Sequence, residues 1–151
     1  MYGELYGEII KIQNIDDYIN VPDMIFFQDE QKTGNISMLT LNNEFYRRVL
    51  STSDNHQIVL MSLNKGQEIG EEMHPDTDQF IRIEKGNGVA ILNGKKFDLR
   101  IDSFINIPKG TVHNIINTGK TPLKLYTIYS PPHHRSIEGN PRKGLVQPIK
   151  K

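Results

Sequence analysis

Residues 71–86 read EEMHPDTDQFIRIEKG, a stretch that places Glu71, Glu72, His74, Asp76, Asp78 and Gln79 just before the apolar alternation Phe80-Ile81-Arg82-Ile83. Glu72 and His74 are two apart, so on an extended backbone they project from one face, and Gln79 shares a face with Ile81. Further on, Pro108-Lys109-Gly110-Thr111-Val112-His113 sets a second histidine three residues past a Pro-x-Gly turn, at the start of another apolar run. If these segments pair inside one barrel, Glu72, His74, Gln79 and His113 converge. Two imidazoles, a carboxylate and an amide oxygen suit one divalent first-row ion such as Mn, Fe, Ni or Zn. Plainer roles compete with this reading. Glu72 can be a surface carboxylate, His74 a turn cap before Pro75, His113 a hydrogen-bonded core histidine and Gln79 a partner for backbone groups.

The elements that must position these residues read as short strands. Gln57–Leu63, Phe80–Glu84, Val89–Leu92, Lys95–Leu99, Ser103–Ile107, Val112–Ile116 and Leu123–Tyr129 are apolar or alternating runs, each stopped by turn formers. Asn93-Gly94 is a hairpin signal, because both central residues of a type I′ turn need positive φ. No stretch here keeps a helical period, and the spacing argues an all-β sandwich or barrel. The first 56 residues are less regular. Ile9–Ile12 and Met24–Phe27 read as further strands, Asp16–Ile19 as one helical turn and Asp29–Asn35 as a polar loop.

The two histidine-bearing stretches resemble the paired motifs of the cupins, small jelly-roll β-barrels. The second cupin motif is matched by Pro108, Gly110, His113 and Asn117, with Asp102 where a leading glycine stands in the family. The first is matched in spacing from Gly66 to Gly86, with Glu72 at the first histidine position and Gln79 at the glutamate position. This variant, with Leu-Tyr-Thr-Ile-Tyr-Ser-Pro-Pro-His-His near the end, is similar to a subgroup of small single-domain cupins described as sugar-phosphate-isomerase-like. The resemblance covers roughly residues 45–134. It implies a single jelly-roll barrel over 45–130, an N-terminal extension over 1–44 that adds strands or covers an edge, and a C-terminal tail over 131–151. It also favours the joint metal reading of Glu72, His74, Gln79 and His113. The ligand charge is that of a set of three histidines and one glutamate, moved to another corner.

Composition limits the function classes. The chain has 151 residues, 36% hydrophobic and 24% charged, and so reads as one globular domain. A formal net charge of zero gives no global field for nucleic acid or membrane, and without cysteine there is no thiolate chemistry. The N-terminus has no basic-then-apolar leader and no long apolar run exists, so the expectation is a cytoplasmic protein. From Pro131 onward, Arg135, Arg142, Lys143, Lys150 and Lys151 stand against Glu138 in a turn-rich basic tail, read as a surface tail ahead of a lid or a subunit-wrapping arm. His133-His134 reads as part of that tail, His56 as a turn residue, and Asp76 and Asp78 as turn formers rather than ligands. The expected ligand is a small oxygen-rich molecule in the barrel: a sugar, a uronate or a keto acid. Isomerase, lyase and dioxygenase chemistry stay open beside a non-catalytic binding module or a purely structural one. Glu84, Tyr126 and Tyr129 are base candidates, and Arg47 and Arg48 are more simply solvated arginines than anion ligands. Exposed barrel edges point to a homodimer.

Overall fold

The computed structural model describes residues 33–133 in full and, as backbone, the strands β1 (Tyr2–Leu5) and β2 (Glu8–Lys11). β1 and β2 pair antiparallel, so the expected strand at Ile9–Ile12 is present through Lys11. The expectations for Asp16–Ile19, Met24–Phe27 and the tail from His134 onward lie outside the described residues.

A short helix, α1 (Ile36–Asn42), was not foreseen. Asn35 caps it by accepting from the Met38 N–H at 2.9 Å, and it lasts only seven residues. Eight strands follow: β3 (Arg47–Thr52), β4 (Gln57–Leu63), β5 (Asp78–Lys85), β6 (Gly88–Leu92), β7 (Lys95–Leu99), β8 (Phe104–Ile107), β9 (His113–Asn117) and β10 (Leu123–Ser130). They form an antiparallel five-stranded sheet in the order β3-β4-β10-β5-β8 and an antiparallel three-stranded sheet in the order β7-β6-β9. The β6–β7 hairpin turns at Asn93 and Gly94, with φ of 47° and 82° as a type I′ turn requires.

One apolar core joins the sheets. Val59, Met61, Leu63, Ile81, Ile83, Leu123 and Leu125 face it from the larger sheet, and Ala90, Leu99 and Ile115 from the smaller. All-β jelly-roll architecture is therefore borne out, as two facing sheets rather than a hydrogen-bonded closed cylinder. The outer face of the larger sheet is partly covered by α1. There Ser37 donates to Glu84 at 3.1 Å and the Lys124 ammonium donates to the Asn43 carbonyl. Among the described residues no helix is long and apolar enough to cross a membrane.

Candidate metal centre

The segment before β5 continues the smaller sheet. Ile69 N–H donates to the Ile115 carbonyl at 2.9 Å, and Glu72 and His113 exchange both backbone hydrogen bonds at 2.9 Å. Directly opposed residues of an antiparallel pair carry their side chains on the same face about 5 Å apart. Pairing by itself therefore sets the Glu72 carboxylate beside the His113 ring. His74 follows two residues later, and its carbonyl accepts from the Gly110 N–H at 2.7 Å. Gly110 has φ 84°, a left-handed conformation that suits glycine and lets the Pro-x-Gly turn close against this segment. Gln79 enters from the larger sheet on β5, where it is paired across from Tyr129 on β10.

The side chains meet at one end of the core. Glu72 Oε1 lies 3.3 Å from His74 Nε2 and 3.5 Å from His113 Nε2, and the ligand atoms of all three residues lie within 4.8 Å of one another. His113 Nδ1 is 2.8 Å from the Thr111 carbonyl. A carbonyl only accepts, so Nδ1 carries a proton and Nε2 is the nitrogen that faces the carboxylate. Gln79 spends its amide N–H groups on Thr127 Oγ1 at 3.0 Å and Tyr129 Oη at 3.2 Å. Its Oε1, with His74 Nε2 and His113 Nε2, is buried without a hydrogen-bond partner. Both contacts to Glu72 sit at the long limit of hydrogen bonding, and so act as electrostatic pairings.

Electrostatics follow from this crowding. For His74, burial pulls the pKa below the ordinary value and Glu72 only partly offsets it. Burial acts the same way on His113, but the Glu72 carboxylate and the Thr111 carbonyl outweigh it and the net shift is upward. Burial would raise the Glu72 carboxyl; the His113 ring and the charges of His74, His113 and Arg47 prevail and hold it below its usual value. A carboxylate, two imidazole nitrogens and an amide oxygen thus face one another without a well-formed hydrogen bond among them. That donor set fits a divalent cation.

Comparison with known proteins settles the family. The Cupin domain profile matches residues 59–129. A crystal structure of a protein from Bacillus halodurans superposes with a TM-score of 0.70 at 41% identity, covering 76% of this chain and 89% of that one. The chain belongs to the cupin family. An uncharacterized protein of Acanthamoeba polyphaga mimivirus is 50% identical over 116 residues, 74% of this chain and 72% of that protein. The uncharacterized protein YrkC of Bacillus subtilis (strain 168) is 48% identical over 106 residues, 66% of this chain. The match spans 57% of YrkC's own length.

This cupin brings Glu72, His74 and His113 into one cluster, with Gln79 Oε1 buried beside it. Asp78 instead accepts from the Lys109 N–H at 2.8 Å, and Asp76 is exposed, as turn formers would be. Two base candidates are corrected. Glu84 and Tyr126 alternate onto the outer face, where Glu84 meets Arg82 at 3.0 Å and Tyr126 is paired with Arg82. Tyr129 does face inward, but burial pushes its phenol far above the ordinary range, so it stays protonated.

The two arginines also differ from solvated surface residues. Arg48 is buried on the outer face opposite Leu60, while Arg47 shares a side with core residue Val49. His133 was assigned to the tail, yet its ring centroid lies 4.0 Å from that of His74 and 5.4 Å from that of Tyr129. Nothing local in Pro-Pro-His-His shows that fold-back. Only the emergence of β10 beside the cluster does.

Proposed function

We propose that this cupin holds one divalent transition-metal ion through Glu72, His74, Gln79 and His113, and binds a small oxygen-rich molecule at the ion's remaining positions. The observation that carries the reading is that His74 Nε2 and His113 Nε2, both buried and without a well-formed hydrogen bond, face one carboxylate, with the buried Gln79 Oε1 next to His74. Leaving such groups unsatisfied costs about 1–3 kcal/mol each. When bound, the ion supplies Lewis acidity that polarises a ligand oxygen or acidifies a water. The chain's own part is to fix the donors: Thr111 sets the His113 tautomer, and Thr127 and Tyr129 turn the Gln79 amide so that its oxygen faces the cluster.

Sugars, uronates and keto acids are the ligand class we propose. Isomerase-like turnover needs a general base. With Glu84 and Tyr126 on the outer face and Tyr129 held protonated, the strand-borne base candidates are lost, and this favours a second reading as a non-catalytic binding module. Metal analysis of untagged protein after exhaustive dialysis tests the centre. One equivalent is expected for wild type and a severe loss for His113→Ala, which leaves the Glu72–His74 segment in place. Wild type without metal, or His113→Ala retaining as much as wild type, would sink the proposal.

A further inference from the structure

Arg47 is an inward-facing cation with an unmet hydrogen-bonding group. It pairs with Met61, which is fully buried, and Val49, two residues on, pairs with core residue Val59. Its neighbour Tyr46 donates a phenolic hydrogen bond within reach of both the Glu68 and Ile69 carbonyls, at 3.1 and 3.3 Å. That contact fastens the start of β3 to the segment that delivers Glu72. The guanidinium carbon sits 5.6 Å from the Tyr46 ring centroid, and Nε is buried without a hydrogen-bond partner. Arg82 behaves differently on the outer face, where Glu84 and Asp102 pair with it at 3.0 and 2.6 Å. Among the described residues no carboxylate pairs with Arg47 in this way, although its charge contributes to the field at Glu72, Tyr129 and His133.

The charge balance then selects a ligand. A divalent ion offset by Glu72 leaves one positive charge, and Arg47 adds a second at the edge of the same cluster. A neutral sugar leaves both uncompensated in a partly buried site. We propose that Arg47 is a specificity-determining residue that pairs with the carboxylate of a small hydroxy or keto acid whose oxygens also meet the metal. One guanidinium fork matches one carboxylate in charge and in geometry. This inference rests on the metal reading above and narrows the ligand class from oxygen-rich molecules to acids.

The test uses full-length protein loaded with Mn(II), with metal content measured for every sample. Isothermal titration compares galacturonate, lactate and pyruvate with neutral galactose and with galactose 1-phosphate. Wild type should bind at least one of the acids about tenfold or more tightly than galactose, the equivalent of one charge-assisted pairing. Arg47→Gln should lose that preference while keeping its metal, and Arg47→Lys should restore part of it. If Arg47→Gln fails to fold, the wild-type preference for acid over neutral sugar still decides the matter. Unchanged acid binding in metal-loaded Arg47→Gln, no acid binding by metal-loaded wild type, or tighter binding of the phosphate overturns the role of Arg47 and leaves the metal centre standing. Failure of wild type to load metal overturns the metal reading instead.

Discussion

Two buried amides, one at each end of the same core, are satisfied very differently. Asn117 closes β9. Its Nδ2 donates to the Leu63 and Thr121 carbonyls and its Oδ1 accepts from the Gly119 N–H, all at 2.9 Å. Gln79, the second residue of β5, lies at the other end with both N–H donors used and its oxygen without a well-formed hydrogen bond. Buried polar groups in folded proteins are overwhelmingly paired, so the two ends have different tasks. At the Asn117 end the amide is a staple that ties turns to strands. At the Gln79 end the amide stands beside two imidazole nitrogens that meet only the Glu72 carboxylate, at the long limit of hydrogen bonding, in a cluster that could hold a metal ion.

The comparison breaks most visibly through charge. Glu72→Gln preserves shape while removing the one anionic donor of the cluster. Its metal affinity should fall by more than about 100-fold, beyond the loss typical of residues that merely orient a ligand. Dialysis against a graded chelator series would measure this. An affinity within tenfold of wild type would mean that the carboxylate is not a ligand.

Next comes the staple. Asn117→Ala removes the donors to the Leu63 and Thr121 carbonyls and leaves the Gly119 N–H with the Asn87 carbonyl alone, a loss of about 2–3 kcal/mol in denaturant unfolding. Metal content should not change. Gln79→Leu should do the reverse: its metal-free stability should move by less than about 1 kcal/mol, because its two donated bonds are lost while an orphan acceptor is removed. Its metal affinity should fall roughly tenfold, less than for Glu72→Gln, since water can replace a neutral amide oxygen. Equal effects of the two amide variants on metal would erase the distinction between the ends.

What could be read in the sequence divides along the same lines. β4 was expected at Gln57–Leu63 and lies there, and the Asn93-Gly94 hairpin turn has the φ signs its residues require. The clustering of Glu72, His74 and His113 was legible from the paired motifs and from period-two alternation, which fixes the side of a strand that a residue takes. Even Asp102, standing in for a glycine, adopts φ 70°, a conformation that aspartate tolerates better than most residues. The side that Arg47 takes was not legible because β3 is an edge strand whose facing depends on its register with β4. His133 depends on where the chain re-emerges from β10. α1 is a seven-residue helix whose capping Asn35 lies in a run that also reads as a loop. In each case the deciding information was long-range pairing.

The smallest effect expected is in the pH dependence of the metal-free protein, and it sharpens the contrast once metal is added. His113 has a folded pKa above its unfolded value, so its contribution is full at low pH and is lost as pH rises through that folded pKa. His74 has a depressed folded pKa. Its unfolded form takes up a proton first, so stability falls as pH drops through the ordinary value near 6.5. Around that pH the slopes oppose each other, His113 against His74 and the likewise depressed His133, so the metal-free dependence should be weaker than His74 and His133 alone would give. The Glu72 contribution is present above the ordinary carboxylate pKa and is lost only at more acidic pH, below this window. Metal changes the balance, because both rings must then be neutral and each proton competes with the ion. The extra stability conferred by metal should therefore shrink steadily as pH falls, beginning above 6.5 because the His113 pKa is raised. Thermal unfolding of metal-free and metal-loaded protein across pH 5.5 to about 8 measures both slopes. A metal-induced stabilisation that stayed constant across that range would mean that neither imidazole binds the ion.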